Sequence, residues 1–409
     1  MKKENIVILA FPIVAFILLM ILSDFSDIEL FVTKDQDEQS VDKKIAQEQL
    51  ENYKYNDELE STFDNYDNIY QEEYSAFKEQ IEFQWGEFET PLETEWVSYV
   101  DQGNVRRSVD YKTGEISVEV LLDESEEDKG LIKRKMEKEV FALLNSTEAE
   151  AFKADVVSQR VEARLPSNSS VIERGLPGDN RLFSLEDLTS VTFNYSGIVK
   201  VSSKNRNFVT NDFRKAKITG KKIFRSSFKI QESVIQKAIQ YADSVGKFSQ
   251  MQKIPTALIF AIIESESSFN PMAKSHIPAY GLMQIVPRSA GRDATKHLYG
   301  KEKVLAPSYL YSTENNINVG SAYLHVLYHK YLRKVKDPQS RLYCAIAAYN
   351  TGATNVARAF IKKKNFNQAV KRINQMTSEE VYETLVKRLP YRETRHYVKK
   401  VSNKMKKYL

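Results

Sequence analysis

The sequence predicts an α+β protein whose C-terminal part is almost entirely helical. Apolar residues recur at helical spacing nearly throughout residues 228–409, and they alternate with polar residues in two short runs near residue 110. A third pattern, an apolar run close to the N-terminus, predicts a transmembrane helix ahead of both. A chain of 409 residues, 42% hydrophobic and 28% charged, is long enough for two globular domains joined by linkers.

The N-terminal apolar run has the features of an uncleaved membrane anchor. It extends over 17 residues, from Ile6 to Leu22, behind Lys2 and Lys3. The apolar core of a signal peptide is typically about 7–15 residues long and ends in a small-residue cleavage site, which the following "SDF" does not provide. We therefore expect residues 1–27 to be a signal anchor with its N-terminus in the cytoplasm, and the rest of the chain to lie outside.

The charge distribution separates an acidic arm from a basic body. Residues 35–95 hold 19 acidic residues against four lysines, whereas residues 96–409 hold 52 basic and 32 acidic residues. Such a split is typical of a protein whose basic part meets an anionic partner. Nucleic acid, an anionic membrane surface and an anionic cell-wall polymer all fit this charge. Residues 28–62, mostly polar and charged, are predicted to be a partly helical tether.

Residues 63–227 are predicted to form a smaller α+β domain and a junction. An amphipathic helix opens it, with an aromatic stripe whose neighbours are acidic, so the stripe indicates core packing and not base stacking. The stripe comprises Phe63, Tyr66, Tyr70, Tyr74, Phe77 and Ile81. Two alternating runs flank "KTG" and predict a β-hairpin. The Pro-, Gly-, Ser- and Asn-rich residues 165–180 predict the junction, and residues 183–229 another strand pair.

Residues 228–409 are predicted to be a helical domain of ordinary size. Its predicted helices cover residues 231–245, 255–267, 313–332, 340–350 and 392–409. The single cysteine, Cys344, lies in the apolar run "LYCAIAAY", where a small buried hydrophobe is expected, and one cysteine excludes an internal disulfide.

Two glutamates near the end of one helix, in "IESESSFNP", differ in their expected surroundings. Residues two apart on a helix point about 200° from one another, so Glu264 and Glu266 cannot share a face. Glu266 shares the apolar face of Ile259, Ile262 and Ile263, whereas Glu264 falls on another side. Burial disfavours a charged carboxyl and raises its pKa, as a general acid requires near neutral pH. A salt bridge at the helix end is the alternative role for Glu266.

Three downstream segments place amide or phenol groups at helix ends or turns. They are "AYGLMQIVP", "AIAAYNTGATNV" and "LPYRETRHYVKKV". Neutral donors and acceptors beside apolar surface suit the hydroxyl and acetamido groups of a sugar polymer.

Four ordered motifs, "ESSFNP", "GLMQ", "AYN" and "ETRHYV", resemble those of soluble-lytic-transglycosylase-type domains, which have a lysozyme-like fold. The resemblance covers roughly residues 228–409. The upstream segments "QWGEFE" and "EWVSYVDQGNVRRSVDYKTGEISVEV" resemble the N-terminal domain of the murein transglycosylase C family. The chain departs from that lipoprotein family because no cysteine lies near its N-terminus, and its acidic arm and its junction look longer.

The resemblance implies one catalytic acid/base, Glu266, which protonates the glycosidic oxygen between N-acetylmuramic acid and N-acetylglucosamine. It implies that Ser267 and Tyr349 position that carboxyl and that Tyr397 lies close to it. Met283 and Gln284 are implied to line the sugar cleft.

The resemblance also implies that Asn350 meets the acetamido sugar near the scissile bond. Without the order of the motifs, Met283 and Tyr349 alone would indicate helix core.

A single acid suffices when the substrate supplies its own nucleophile. Ordinary glycosidases use two carboxylates, and the nearest other candidates, Asp293 and Glu302, fit surface charges better. The N-acetyl oxygen can stabilise the developing cation, and the sugar's own C6 hydroxyl can then attack C1, leaving a 1,6-anhydro sugar. A muramidase with water as nucleophile and a non-enzymatic wall-binding module are the alternatives.

Other chemistry has little support in the sequence. His325 and His329 are spaced as on one helix face but lack the glutamate of a metalloprotease helix, and no phosphate loop or Ser-elbow motif is present. We expect no metal, no cofactor and no nucleic-acid partner. The expected partners are peptidoglycan strands and the inner membrane that anchors the protein in the periplasm.

Overall fold

The structure, a computed structural model, describes residues 32–183, 191–193, 199–201, 210–217, 220–230, 234–275, 278–361 and 365–409. The chain divides into two compact units, residues 1–57 and 58–409. The predicted anchor, residues 1–27, lies outside the described residues. Within the described ranges, no helix is both long enough and apolar enough to cross a bilayer.

One long helix, α1 (Val32–Trp85), includes the described part of the first unit and continues into the second. From Leu59 onward it buries a stripe of large side chains, because they recur every three or four residues. The buried members are Leu59, Phe63, Tyr66, Tyr70, Phe77, Ile81 and Trp85. The sequence interpretation of this stripe as core packing is confirmed, except that Tyr74 is only half-buried.

The second unit contains one five-stranded antiparallel sheet. Its strands, in spatial order, are β1 (Glu95–Val100), β2 (Val105–Asp110), β3 (Glu115–Asp123), β8 (Lys221–Lys229) and β7 (Thr210–Lys215). The predicted hairpin is β2–β3, in which Val109 faces Ile116. Gly114 closes its turn at a φ of 77°, a conformation that favours glycine.

The second predicted strand pair is β7–β8, which joins the sheet at β3 because residues 221–229 pair with residues 115–123. A separate two-stranded pair consists of β5 (Val191–Phe193) and β6 (Val199–Val201). Three helices follow β3 in the chain: α2 (Lys129–Leu144), α3 (Glu148–Ala154) and α4 (Val156–Arg164).

The C-terminal part is helical, as predicted. Its helices are α5 (Val234–Ile239), α6 (Ala242–Gln252), α7 (Thr256–Glu266), α8 (Arg292–Tyr299), α9 (Pro307–Leu310), α10 (Thr313–His325), α11 (Pro338–Thr351), α12 (Ala353–Ile361), α13 (Phe366–Ile373), α14 (Ser378–Arg388) and α15 (Arg392–Met405). The predicted fold class, mostly helical with a small sheet, is confirmed. The predicted junction contributes β4 (Ile172–Glu173), which pairs in parallel with β9 (Val304–Leu305).

A buried ion pair joins the N-terminal helices to the C-terminal part. Lys274 Nζ donates to both carboxylate oxygens of Asp155, at 2.9 and 2.8 Å. Ser158 Oγ and Tyr311 OH also donate to the Asp155 carboxylate, at 2.6 and 3.0 Å. Burial alone would raise the pKa of Asp155, but the charge of Lys274 and these hydrogen bonds outweigh it and hold the pKa below its ordinary value.

The substitution Asp155→Asn is expected to lower the free energy of unfolding by about 3–5 kcal/mol, because the Lys274 ammonium stays buried without its carboxylate. Urea denaturation at pH 7 measures this loss. This difference between the variant and the wild type becomes smaller at low pH. The pKa of Asp155 in the folded state lies below its unfolded-state pKa of about 3.9, so the ion pair stabilises the wild type above that pH. This stabilisation is lost as the pH falls below it.

The matched control is Glu383→Gln, which removes an exposed ion pair with Lys387. It is expected to leave the free energy of unfolding nearly unchanged, because solvent screens an exposed pair. A loss for Asp155→Asn as small as that of the control contradicts the structural role of the buried pair.

Candidate active site

Helix α7 presents Glu266 at the C-terminal end of an apolar element. Every residue from Ala257 to Ser265 is buried, because α6 and α15 pack against it. The helix ends at Glu266, and the next turns reverse the chain: Ser268 and Phe269 have φ values of 54° and 68°. Phe269 is fixed there by stacking on Tyr241, with ring centroids 6.0 Å apart. The end of α7 is therefore a packed corner.

The two glutamates of α7 have surroundings different from those that helical spacing predicts. Glu264 is only 6% exposed, because α15 and the C-terminal residues cover its side of the helix. Lys404 Nζ and Lys407 Nζ lie 3.0 and 2.9 Å from it, and Tyr408 OH donates at 2.8 Å. Burial alone would raise the pKa of Glu264, but these partners lower it. The expectation that Glu264 lies away from the core is wrong, and Glu264 is a structural carboxylate.

Glu266 is the carboxyl of α7 whose pKa is raised. Its side chain is partly accessible, and burial raises its pKa to about 7. Tyr397 OH donates to Glu266 Oε1 at 2.5 Å, and this bond and the charge of Lys400 moderate the rise. Lys400 Nζ itself donates to the carbonyl of Ser265 at 2.7 Å. The sequence placed Tyr397 beside Glu266, but Lys400, one helical turn later, was not singled out.

Two further carboxylates act on Glu266 at longer range. The negative charges of Glu93 and Glu393 both raise its pKa, and both side chains are exposed. Neither residue was singled out in the sequence, because Glu93 lies far away in the chain and Glu393 in a charged helix start. The candidates that were considered have other partners: Asp293 accepts from Tyr331, and Glu302 pairs with Arg292 and Lys296.

Ser267 and Tyr349 hold the loop beside Glu266 rather than the carboxyl itself. Ser267 Oγ donates to the carbonyl of Leu282 at 2.9 Å, and Tyr349 OH to the carbonyl of Met283 at 2.7 Å. Burial and then the charge of Glu266 raise the pKa of Tyr349, so its phenol is neutral and near the acid. Both hydroxyls thus fix the backbone of residues 282–283.

Asn316, which sequence reasoning missed, closes the same loop from α10. Its Oδ1 accepts from the Met283 amide at 2.9 Å, and its Nδ2 donates to the carbonyls of Tyr280 and Leu310. Met283 is fully buried with its sulfur against Gly320, so its side chain does not line an accessible surface, contrary to the role that the resemblance implied. The run "TENNINVG" holds three asparagines, and nothing in the sequence marks Asn316 as the buried one.

Gln284 and Asn350 offer amide groups at the same place. Gln284 has a φ of 48°, and its Nε2 donates to the carbonyl of Gly281 at 3.1 Å. Among the described residues, none donates to the buried Gln284 Oε1. Asn350 Oδ1 accepts from Thr394 Oγ1 at 2.7 Å.

Three of the described histidines lie next to one another. His297, His325 and His329 stack on one another, and their ring nitrogens contact Gln252, Lys253 and Lys330. Burial lowers the pKa of His297 and of His325. In the described part of the chain, no group of three or more histidine, cysteine or acidic side chains could hold a metal ion.

The chain is similar to lytic transglycosylases. Residues 243–371 match the family model described as the Transglycosylase SLT domain. The membrane-bound lytic murein transglycosylase C of Sodalis glossinidius (strain morsitans) is 45% identical over 173 residues, which cover 42% of this chain and 48% of the relative. The protein of the same name from Cronobacter sakazakii (strain ATCC BAA-894) is 43% identical over 173 residues, which cover 42% and 47%.

The alignments thus span about half the length of these curated relatives. Among solved structures, the 70-kDa soluble lytic transglycosylase from Escherichia coli is 27% identical with a TM-score of 0.32, covering 41% of this chain and 24% of that one. The resemblance inferred from the motifs is confirmed for the residues that the SLT model matches.

The substitution Tyr397→Phe is expected to shift the alkaline limb of kcat/KM on a glycan substrate to higher pH. The lost hydrogen bond normally lowers the pKa of Glu266, so without it Glu266 holds its proton further into the alkaline range. Because the carboxyl also loses its fixed orientation, kcat falls by about tenfold. A pH–rate profile measures both effects.

The control Tyr408→Phe removes the equivalent bond from Glu264 and is expected to leave the pH–rate profile in place. Equal profiles for Tyr397→Phe and the wild type would refute the assignment of Glu266 as the titrating acid.

The substitution Gly281→Ala is expected to destabilise the fold by about 3 kcal/mol or more. Gly281 has a φ of 72°, and an added Cβ would lie 2.3 Å from Asn316 Nδ2 and 2.7 Å from the carbonyl oxygen of Leu310. Gly220→Ala is the control: its φ is similar at 80°, but no described atom lies within 4 Å of the new Cβ. Thermal unfolding of both variants separates the effect of crowding from that of backbone strain. An equal loss of stability in the two variants would contradict the close approach at Gly281.

Proposed function

We propose that this protein is a peptidoglycan lytic transglycosylase that cleaves the β-1,4 bond between N-acetylmuramic acid and N-acetylglucosamine. The supporting observation is Glu266, a carboxyl with a pKa of about 7 hydrogen-bonded to Tyr397 in a corner lined by amides. A general acid needs its pKa near the operating pH, and burial supplies this shift. The relatives' shared name, lytic murein transglycosylase, supports the same reaction.

The reaction begins with the proton of Glu266. Glu266 protonates the bridging oxygen, the bond from that oxygen to C1 of N-acetylmuramic acid breaks, and the N-acetylglucosamine side leaves as an alcohol. The N-acetyl oxygen of the same muramic residue stabilises the positive C1. Glu266, now a carboxylate, takes the proton of the C6 hydroxyl while O6 attacks C1. The product carries a 1,6-anhydro ring, Glu266 is protonated again, and no water is consumed.

The neighbouring side chains have distinct roles in this proposal. Tyr397 orients the Glu266 carboxyl, and Ser267 and Tyr349 fix the loop that faces it. Gln284 and Asn350 offer side-chain amide groups for the hydroxyl and acetamido groups of the sugar. Met283 contributes through its backbone, because its side chain is fully buried.

A muramidase remains the second candidate because carboxylates other than Glu266 act at the same place. An inverting hydrolase holds its two carboxyl groups about 6.5–9.5 Å apart so that a base activates water. Glu93 and Glu393 both raise the pKa of Glu266, but neither hydrogen-bonds to it. The shared name of the relatives favours transglycosylation. A wall-binding module without activity is the third candidate, and the raised pKa of Glu266 argues against it.

The N-terminal segments fit a membrane-anchored protein of the periplasm. We infer that residues 1–27 anchor the chain in the inner membrane, that residues 28–62 are the tether, and that residues 63–227 and 228–409 are the N-terminal and catalytic domains. The name of the relatives includes the word membrane-bound, which supports a membrane anchor. The excess of basic groups after residue 95 suits a wall polymer with acidic stems.

The substitution Glu266→Gln is expected to lower kcat on purified sacculi by about 10²–10⁴-fold, because the proton donor is lost. The wild type is expected to release 1,6-anhydro products and to lose kcat/KM above about pH 7, as the acid ionises. Mass spectrometry of the digests identifies the products. Glu393→Gln is the matched control and is expected to keep the same products and most of the rate, because transglycosylation needs no second carboxylate.

Reducing-end products, heavier by one water, would establish the muramidase instead. If Glu266→Gln cleaves sacculi as fast as the wild type, Glu266 is not the catalytic acid. If the wild type binds sacculi but does not cleave them, the protein is a wall-binding module.

A further inference from the structure

Two lysines of α15 bind the C-terminal end of α7. The last carbonyl groups of a helix have no partner within the helix, so they bond to side chains or to water. Lys400 Nζ donates to the carbonyl of Ser265 at 2.7 Å, and Lys404 Nζ, one helical turn later, donates to the carbonyl of Glu264 at 2.8 Å. Both carbonyls belong to the last turn of α7, which ends at Glu266. The backbone that carries the acid is therefore tied to α15 by two ammonium groups.

The two lysines differ in how their charges are balanced. Lys404 Nζ also lies 3.0 Å from a carboxylate oxygen of Glu264. Among the described residues, no carboxylate forms an ion pair with Lys400, and its positive charge acts on Glu266, where it lowers the pKa. The free carbonyls at the end of a helix carry partial negative charge, which favours a cation there. Lys400 thus adds a positive charge at the negative end of the helix that carries the acid.

A positive charge in this place suits a carboxyl that has to work in both protonation states. In the proposed reaction Glu266 is first a proton donor and then, as a carboxylate, a proton acceptor. Burial favours the protonated form in both steps, so burial alone would make the carboxylate costly to form. An ammonium group that bonds to the adjacent backbone lowers this cost without taking the proton-transfer position on the carboxyl.

We propose that Lys400 is a positioning residue of the reaction: its ammonium group fixes the end of α7 and stabilises the carboxylate that Glu266 becomes after protonating the glycosidic oxygen. The inference rests on the proposed function and assigns a role to a residue beyond residues 243–371, which match the SLT model. Lys400 acts through Glu266 and its backbone, and not through contact with the glycan.

The effect of Lys400 is separable from that of the other groups that face Glu266. These groups are Tyr397 and Glu393 on α15, Tyr349 on α11 and Glu93 ahead of β1. Tyr397 and Lys400 lower the pKa of Glu266, and the two glutamates raise it. Loss of the Lys400 charge alone therefore raises the pKa of Glu266, and the acid keeps its proton to higher pH.

The test compares Lys400→Met, Lys400→Arg and the matched control Lys404→Met in the full-length protein, with purified glycan strands as substrate. Lys400→Met is expected to move the alkaline limb of kcat/KM to higher pH and to lower kcat about tenfold, because the charge and the bond to Ser265 are both lost. KM is expected to stay nearly unchanged, because Lys400 does not touch the glycan. Lys400→Arg is expected to restore the pH limb and most of kcat, because the guanidinium keeps the charge and the N–H donors.

The control Lys404→Met removes the equivalent bond to α7 and is expected to leave the pH limb in place. Glu264 balances the charge of Lys404 and keeps Lys407 as a partner after the substitution. Thermal unfolding is expected to show a loss of stability in both methionine variants, because each loses one tie between α7 and α15. The pH limb therefore distinguishes the action of Lys400 on Glu266 from support of the fold.

Three results would overturn the inference. A raised KM with an unchanged pH limb in Lys400→Met would make Lys400 a substrate contact, and equal pH limbs in the two methionine variants would leave it only a support of the fold. The third is an equal midpoint of the Glu266 carbonyl band in infrared spectra of Lys400→Met and the wild type, which needs no substrate. Wild-type digests without 1,6-anhydro ends would refute the proposed function instead.

Discussion

The proposed chemistry of this protein depends on the partial burial of one carboxyl at the end of an apolar helix. Desolvation raises the pKa of Glu266 to about 7, against the moderating effects of the Tyr397 hydroxyl and the Lys400 ammonium. The same helix carries Glu264, which is also buried but meets two lysines and a tyrosine, and its pKa falls. Two glutamates two residues apart thus become an acid and a structural anion, because different groups compensate their burial.

The acid is useful only if the cleft opposite it is rigid, and several elements supply that rigidity. Ser267, Tyr349 and Asn316 fix the loop of residues 280–284 through its backbone carbonyl and amide groups. The same loop pairs with residues 273–274, where Lys274 carries the buried ion pair with Asp155. A continuous set of hydrogen bonds therefore runs from the N-terminal helices to the residues beside Glu266. This continuity explains why the corner at the end of α7 that carries Glu266 is supported by residues more than 100 positions away in the chain.

Sequence reasoning located the elements that local periodicity governs and missed those that tertiary contacts govern. The aromatic stripe of α1, the β2–β3 hairpin and helix α7 follow from spacing alone. Helical spacing did not predict the burial of Glu264, because that burial depends on the packing of α15 against its side of α7. It also could not reveal that residues 86–94 reach Asn270, a contact across 177 positions. The roles assigned to Ser267, Tyr349 and Met283 came from resemblance, and the structure describes bonds to the loop backbone that no motif encodes.

The central claim, that Glu266 keeps its proton near neutral pH, is open to direct measurement. Infrared difference spectroscopy of the full-length protein against Glu266→Gln, in the absence of substrate, isolates the carbonyl band of this one carboxylic acid. The protonated band is expected to persist at pH 6 and to titrate with a midpoint of about 7. Its replacement by the carboxylate band already at pH 5, as in an ordinary solvated glutamate, would contradict a raised pKa of Glu266.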